Sequence, residues 1–172
     1  MVLARIILGL LAIAPMTGYD LKRHFDSTAG HFWTADKAQI YRTLAKLVAD
    51  GHAAVETVAG SGAPDRQEHR ITAAGQAELA AWLASEPERQ TERDPFLARV
   101  FFGAGLDEDG LRSLFAGRRE AVQERLARYE QLRAENAATD RGARLRLLTL
   151  DNGIAHLRTE LAWLDAAEEE LA

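Results

Sequence analysis

The stretch "FWTADKAQIYRTLAKLVADGH", Phe32 to His52, decides how the first half of the chain is read. Thr34 is placed to cap a helix, Asp36 sits favourably in its first turn, and Gly51 can terminate it. Along this helix Ala38, Tyr41, Leu44, Ala45, Leu47 and Val48 recur at helical spacing and form a packing side. A second face carries Thr34, Lys37, Ala38, Gln39 and Arg42, with Lys46 one turn beyond Arg42. Alone, such a face is usually a solvated charged surface. The flanking segments decide between that reading and a more specific one.

Upstream, Val2 to Ala14 is an apolar segment ended by Pro15, which cannot continue a helical ladder. It reads as a mostly buried helix. It is too short to span a bilayer, and a single Arg5 with Pro15 after Ala14 makes a poor signal peptide. Thr17 caps a second helix from about Gly18 to Ser27, with Tyr19, Leu21, His24 and Phe25 pointing inward, and Gly30 breaks it. Downstream, "HAAVETVAG" and "DRQEHRI" flank the turn-forming "SGAP" and predict a β-hairpin whose tip, Gly60 to Asp65, projects. Thr72 caps a fourth helix, with Leu79, Trp82 and Leu83 for packing.

Three helices, a hairpin and a helix form the element order of a winged helix-turn-helix over residues 1–84. In that fold the third helix enters the DNA major groove. Its face then has a chemistry: Arg42 suits guanine, Gln39 suits adenine, and Thr34, Lys37 and Lys46 suit phosphates or bases. Tyr41 packs with its ring and offers its hydroxyl to a phosphate. Arg66, near the hairpin tip, suits a minor groove.

Residues 85–94, "SEPERQTERD", hold six charged side chains and a proline, and read as a linker. Residues 95–172 read as all helix. "PFLARVFFGAGL" is short and apolar. Asp107 caps a long helix to about Asn136, with Leu111, Leu114, Phe115, Val122, Leu126, Tyr129 and Leu132 on one stripe. Asp140 opens the last helix, where Leu147, Leu150, Ile154, Leu157, Leu161 and Leu164 step by threes and fours, a heptad seam. The fold class is therefore mostly α with a small β-hairpin: a winged helix-turn-helix domain followed by an all-helical dimerisation domain. The six seam residues are the expected dimer contacts.

Net charge is −5 over 172 residues and there is no cysteine. That excludes disulfides and thiolate chemistry and suits the cytoplasm. Between Thr17 and Thr72 seven basic residues balance seven acidic ones. DNA binding must therefore come from basic side chains gathered on one surface and doubled in a dimer. The five histidines are scattered, "GSGAPD" lacks the Lys-Ser/Thr of a phosphate loop, and Asp107, Glu108 and Asp109 serve a helix start. No catalytic residue, metal site or cofactor is expected.

The segments "ILGLLAIAPMTGYDLKRHF", "GHFWTADKAQIYRTLAKLVADGHAAVE" and "GSGAPDRQEHRITAAGQAELAAWL" closely resemble the PadR family of transcriptional regulators. The long helical tail resembles the branch with a large C-terminal dimerisation domain. The resemblance implies a winged-helix homodimer that represses its own or a neighbouring promoter and releases DNA when a small molecule binds. It places Gln39, Tyr41 and Arg42 in the recognition helix and Arg66 in the wing. Where the family usually has a tyrosine before the "IT" pair, this chain has His69.

The expected partners are a pseudo-palindromic DNA operator with half-sites roughly 34 Å apart, a second copy of the chain, and a small aromatic or lipophilic effector. Phe32, Trp33 and Trp163 are the candidate walls of the effector pocket. No membrane association is expected. The competing reading is a winged-helix protein-interaction adaptor that does not bind DNA.

Overall fold

The computed structural model describes residues 2–27, 29–58, 66–88 and 93–171. The chain forms two compact units, Met1–Glu88 and Arg89–Ala172.

The first unit holds α1 (Val2–Ile13), β1 (Met16–Thr17), α2 (Gly18–Ser27), α3 (Lys37–Ala49), β2 (Ala53–Val58), β3 (Arg66–Ile71) and α4 (Ala73–Ala84). Leu3, Ile7, Leu8 and Leu11 of α1 make a buried stripe at helical spacing. It closes on Leu21 and Phe25 of α2 and on Ile40, Leu44 and Leu47 of α3. Each such side chain, once buried, contributes about 1.5–3 kcal/mol of apolar transfer.

The sheet has three strands, not two. β3 is central, with β2 pairing Val58 to Arg66 through Ala53 to Ile71. On its other edge β1 pairs Met16 with His69 and Thr17 with Glu68. A two-residue strand carries no periodicity, and only its pairing with β3 makes it one. The hairpin tip expected at Gly60 to Asp65 lies outside the described residues.

Several expectations are corrected. Asp36, not Thr34, caps α3: its carboxylate accepts the Gln39 N–H at 2.7 Å while its own N–H donates to the Gln39 side chain at 3.2 Å. This is a reciprocal capping box. The buried side of α3 is Ile40, Thr43, Leu44 and Leu47, so Ala38, Tyr41 and Ala45 are exposed. Thr43 can be buried because its hydroxyl donates to the Gln39 carbonyl at 2.8 Å. Tyr19 is 69% exposed rather than inward, and Leu83 is exposed as well.

The end of α3 and the start of α4 are joined tightly. Gly51, at φ 74°, reverses the chain. Its N–H donates to the Val48 carbonyl and that of His52 to the Leu47 carbonyl, a Schellman motif. The His52 carbonyl then accepts the Thr72 N–H at 3.1 Å. The Thr72 hydroxyl donates to the Gly51 carbonyl at 2.7 Å and accepts the Gly75 N–H at 3.1 Å. The hairpin is thus clamped at its base.

The second unit contains α5 (Pro95–Phe101), one 3-10 turn (Gly103–Gly105), α6 (Glu108–Glu135) and α7 (Arg141–Leu171). Asp94 caps α5, Asp107 caps α6, and the Asp140 carboxylate accepts the Ala143 N–H in the first turn of α7. Arg118 pairs with Glu160, Arg119 with Asp165, and Arg133 with Asp151. Early α6 meets late α7, so the two helices run antiparallel. Val122 and Tyr129 pack with Leu150, Ile154 and Leu157, flanked by Leu147 and Leu161. Phe96, Phe115 and Leu164 form the other cluster.

The heptad seam is therefore filled within one chain. Leu147, Leu150, Ile154, Leu157, Leu161 and Leu164 pack against α5 and α6 of the same chain. The large apolar side chains left exposed in this unit include Leu145 and Leu148 on α7. Leu97, Phe101, Phe102 and Leu106 are exposed in and after α5, with Phe101 and Phe102 81% and 79% exposed.

A Gly-to-Ala change inside a helix normally stabilises by up to about 1 kcal/mol. At Gly75 the added Cβ would stand 2.1 Å from the His52 carbonyl oxygen, a backbone atom that cannot swing away. Overpacking should win, so Gly75→Ala is expected to destabilise by roughly 2–3 kcal/mol. Urea denaturation read by circular dichroism checks the sign, since a stabilised variant would show that the clamp is loose.

Candidate nucleic-acid interface

The outer face of α3 presents Lys37, Gln39, Tyr41, Arg42 and Lys46, all exposed. Their commitments differ. Lys46 is ion-paired with Asp50 one turn on, at 2.9 Å. The Gln39 carbonyl oxygen serves the capping box, which leaves its amide NH2 as a donor. Arg42 makes only a long 3.4 Å contact to the Ala38 carbonyl and no ion pair among the described residues. Lys37 lies 5.8 Å from the centre of the Tyr41 ring. Thr34 is exposed and precedes the helix, in a coil.

Tyr41 is 45% exposed, and its ring nonetheless leans on the first residue of α2. A Cβ added at Gly18 would fall 2.7 Å from the ring. Packing and exposure thus share the same side chain. The absence of a side chain at Gly18 leaves room for the ring there.

Between α2, α3 and β3 lies a groove of about 770 Å³, lined by Thr17, Tyr19, Asp20, Tyr41, Arg66 and His69 among others. Arg66, the first residue of β3, is exposed at one end of it. Tyr19 was missed as a surface residue because its position suits an inward stripe. The signal that could have found it is the "TGYD" motif. Thr17 and Asp20 cap α2 reciprocally: the Thr17 hydroxyl accepts the Asp20 N–H, and the Asp20 carboxylate accepts the Thr17 N–H, both at 3.1 Å. This holds the next residues at the rim of the sheet. The Thr17 hydroxyl, and more weakly Arg23 and Arg66, hold the Asp20 carboxyl below its ordinary range against some burial.

A second groove, about 600 Å³, is lined by Val2, Leu3, Trp33, Thr34, Gln39 and Arg42 among others. Trp33 packs against the core of the first unit, and Phe32 is exposed. Trp163 belongs to the second unit, stacked on Phe115 at 6.3 Å and edge-on to Phe96 at 6.2 Å. Among the described residues no three His, Asp or Glu side chains gather to hold a metal ion, and no helix is long and apolar enough to cross a membrane.

Comparison with known proteins gives two family matches. Residues 7–81 match the transcriptional regulator PadR-like family, and residues 92–172 match the virulence activator alpha C-terminal family. The chain is 33% identical to a Mycobacterium tuberculosis protein named as the probable transcriptional regulator Rv1176c, over 99% of this chain and 98% of that protein. It is 31% identical to the negative transcriptional regulator PadR of Bacillus subtilis, over 76% and 71%. The fold matches that of B. subtilis PadR solved in complex with operator DNA, with TM-score 0.90, 24% identity and full coverage of both chains. The same regulator solved with p-coumaric acid matches at TM-score 0.79 and 24% identity, over 97% and 96%. The virulence activator AphA of Vibrio cholerae matches at TM-score 0.76 and 27% identity, over 98% and 97%.

His69 separates this groove from an ordinary surface cleft. The residue is only 8% exposed, and its Nδ1 is enclosed without a hydrogen-bond partner. Burial pushes its pKa below the ordinary 6.5, opposed weakly by the Met16 backbone. Burial does the same to His31. The unfolded chain then takes up these protons first as pH falls. Both residues contribute stability above about pH 6.5 that is lost on acidification. The thermal midpoint should drop between pH 7.5 and 5.5, and His69→Gln should flatten part of that drop. Calorimetric melts at the two pH values check it.

Proposed function

The chain belongs to the PadR-like family of transcriptional regulators, and we propose that it acts as a homodimeric repressor that binds a pseudo-palindromic operator through α3 and is released by a small-molecule effector. The observation that carries the reading is the state of Arg42. It is an exposed guanidinium on the outer face of α3 with no ion pair among the described residues, beside the outward amide of Gln39. Lys46 and Lys22, by contrast, each pair with a carboxylate one turn away. An unpaired planar fork beside an amide is suited to base edges.

Tyr41 and Arg66 flank this face across the groove and suit phosphates. Lys37 and Thr34 extend it toward the N-terminal end of α3. Lys46 must exchange Asp50 for a phosphate. Repression is favoured over activation by the B. subtilis relative, a negative regulator by name. That relative's structures with operator DNA and p-coumaric acid support a duplex and an aromatic acid as the two ligands. The exposed Phe101 and Phe102, with Leu97 and Leu106, suit the contact between two copies, because exposed apolar clusters of this kind mark interaction surfaces. The operation is cytoplasmic, on the chain's own or a neighbouring promoter.

Binding to a fragment of the chain's own upstream region should weaken steeply as salt rises. Arg42→Ala should cost about 1–3 kcal/mol and relax sequence preference, while Arg66→Ala should weaken specific and non-specific duplexes alike. Fluorescence anisotropy on both duplexes at two salt concentrations reads all of this. Unchanged binding in both variants would remove the face from consideration.

A further inference from the structure

We propose that the groove between the start of α2, the outer side of α3 and β3 seats a backbone phosphate of the DNA, and that His69 takes up a proton from solvent as that phosphate enters. The inference rests on the reading of α3 as the DNA-facing helix and adds a proton to it.

The groove has the parts of an anion seat. Tyr19 and Tyr41 bring hydroxyls from two helices, and Arg66 brings a guanidinium from the strand. The first-turn amides of a helix such as α2 have no acceptors within the helix. Against these stands the Asp20 carboxylate, which also lines the groove. It is held by the Thr17 N–H and hydroxyl. Among the lining residues, Arg66 and Asp20 cancel while His69 is neutral. The groove is also lined by the phenols of Tyr19 and Tyr41, Thr17 on β1 and the apolar Val55 on β2, and the Met16 backbone bonds to the ring. Lys37 and Arg23 approach from beyond the lining, Lys37 over the Tyr41 ring and Arg23 at 3.8 Å from Asp20.

An arriving phosphate would leave this lining with a net negative charge. His69 is the one lining group able to correct that near neutral pH. It is more than nine-tenths buried, and an enclosed nitrogen without a partner is costly in a folded protein unless something occupies the space beside it. In the free protein the ring is held neutral by burial. A fixed negative charge seated in the same groove works against that balance. By linkage, whatever raises the ring's pKa on binding makes binding tighter as pH falls. Acid would therefore loosen the free fold and tighten its grip on DNA, two opposite effects from one side chain.

The test is titration calorimetry of the full chain with a duplex fragment of its own upstream region. It is run at pH 7.5 and 6.0 in two buffers of different ionisation enthalpy. Affinity should rise roughly three- to tenfold at the lower pH, with proton uptake on binding. His69→Gln and His69→Tyr should each lose most of that gain and most of the uptake. Arg42→Ala should bind more weakly yet keep it. Should either histidine variant misfold, the imidazole carbon resonance of His69 in the intact protein gives the answer directly. Its titration midpoint should move up when duplex is added. An unchanged midpoint, or a pH slope equal in wild type and folded variants, overturns the proton role alone. Absence of binding at any pH and any salt overturns the reading of α3, and this inference with it.

Discussion

The carbonyl of His52 is the point on which the first unit turns. It accepts the Thr72 N–H and lies so close to Gly75 that no side chain fits between. That single acceptor fixes where the hairpin leaves α3 and where it must return. The direction of β2 and β3 relative to the outer face of α3 follows from it, and so does the groove they share. Gly51 makes the approach possible, since only a residue at ease with positive φ can reverse the chain there. The core beneath supplies most of the apolar stabilisation but does not select this geometry.

Electrostatics in the same unit is a matter of allocation. Between Thr17 and Thr72 seven basic residues face seven acidic ones, and several cancel locally: Lys22 with Asp26, Lys46 with Asp50, Arg70 with Glu56. Such exposed pairs contribute little to stability, typically below 1 kcal/mol. Their larger effect is to decide which cations remain. Among the described residues Arg42, Lys37 and Arg66 remain without an ion pair. A segment with no net charge can thus present a local positive field, because a close ion pair acts outward only as a dipole while an uncompensated charge acts over a Debye length of about 10 Å.

The second unit obeys a different constraint. Helices as long as α6 and α7 need a partner for their apolar stripes, and here they supply it to each other. Arg118, held between Asp94 and Glu160 and lying 5.1 Å over the Phe96 ring, ties α5 to the pair. The heptad seam closes the unit, and the exposed apolar side chains in and after α5 are left as the surface that could meet another molecule.

Periodicity and capping residues were enough to place every long helix to within a residue or two, because burial of one stripe and satisfaction of terminal amides are local demands. The hairpin and the donor face of α3 were legible for the same reason. What the chain order could not disclose was decided by distant neighbours. β1 exists only because β3 runs beside Met16 and Thr17. Asp36 outcompetes Thr34 as a cap because Gln39 answers it. Tyr41 and Tyr19 face outward because Gly18 and the capped start of α2 leave them room beside the sheet. His69 looked like a substitution in a strand and became an enclosed imidazole on a groove. That the leucine seam packs within one chain depended on α6 being long enough, and antiparallel, to meet it. Sequence fixes what each segment needs to bury or bond, and tertiary structure alone chooses which partner meets the need.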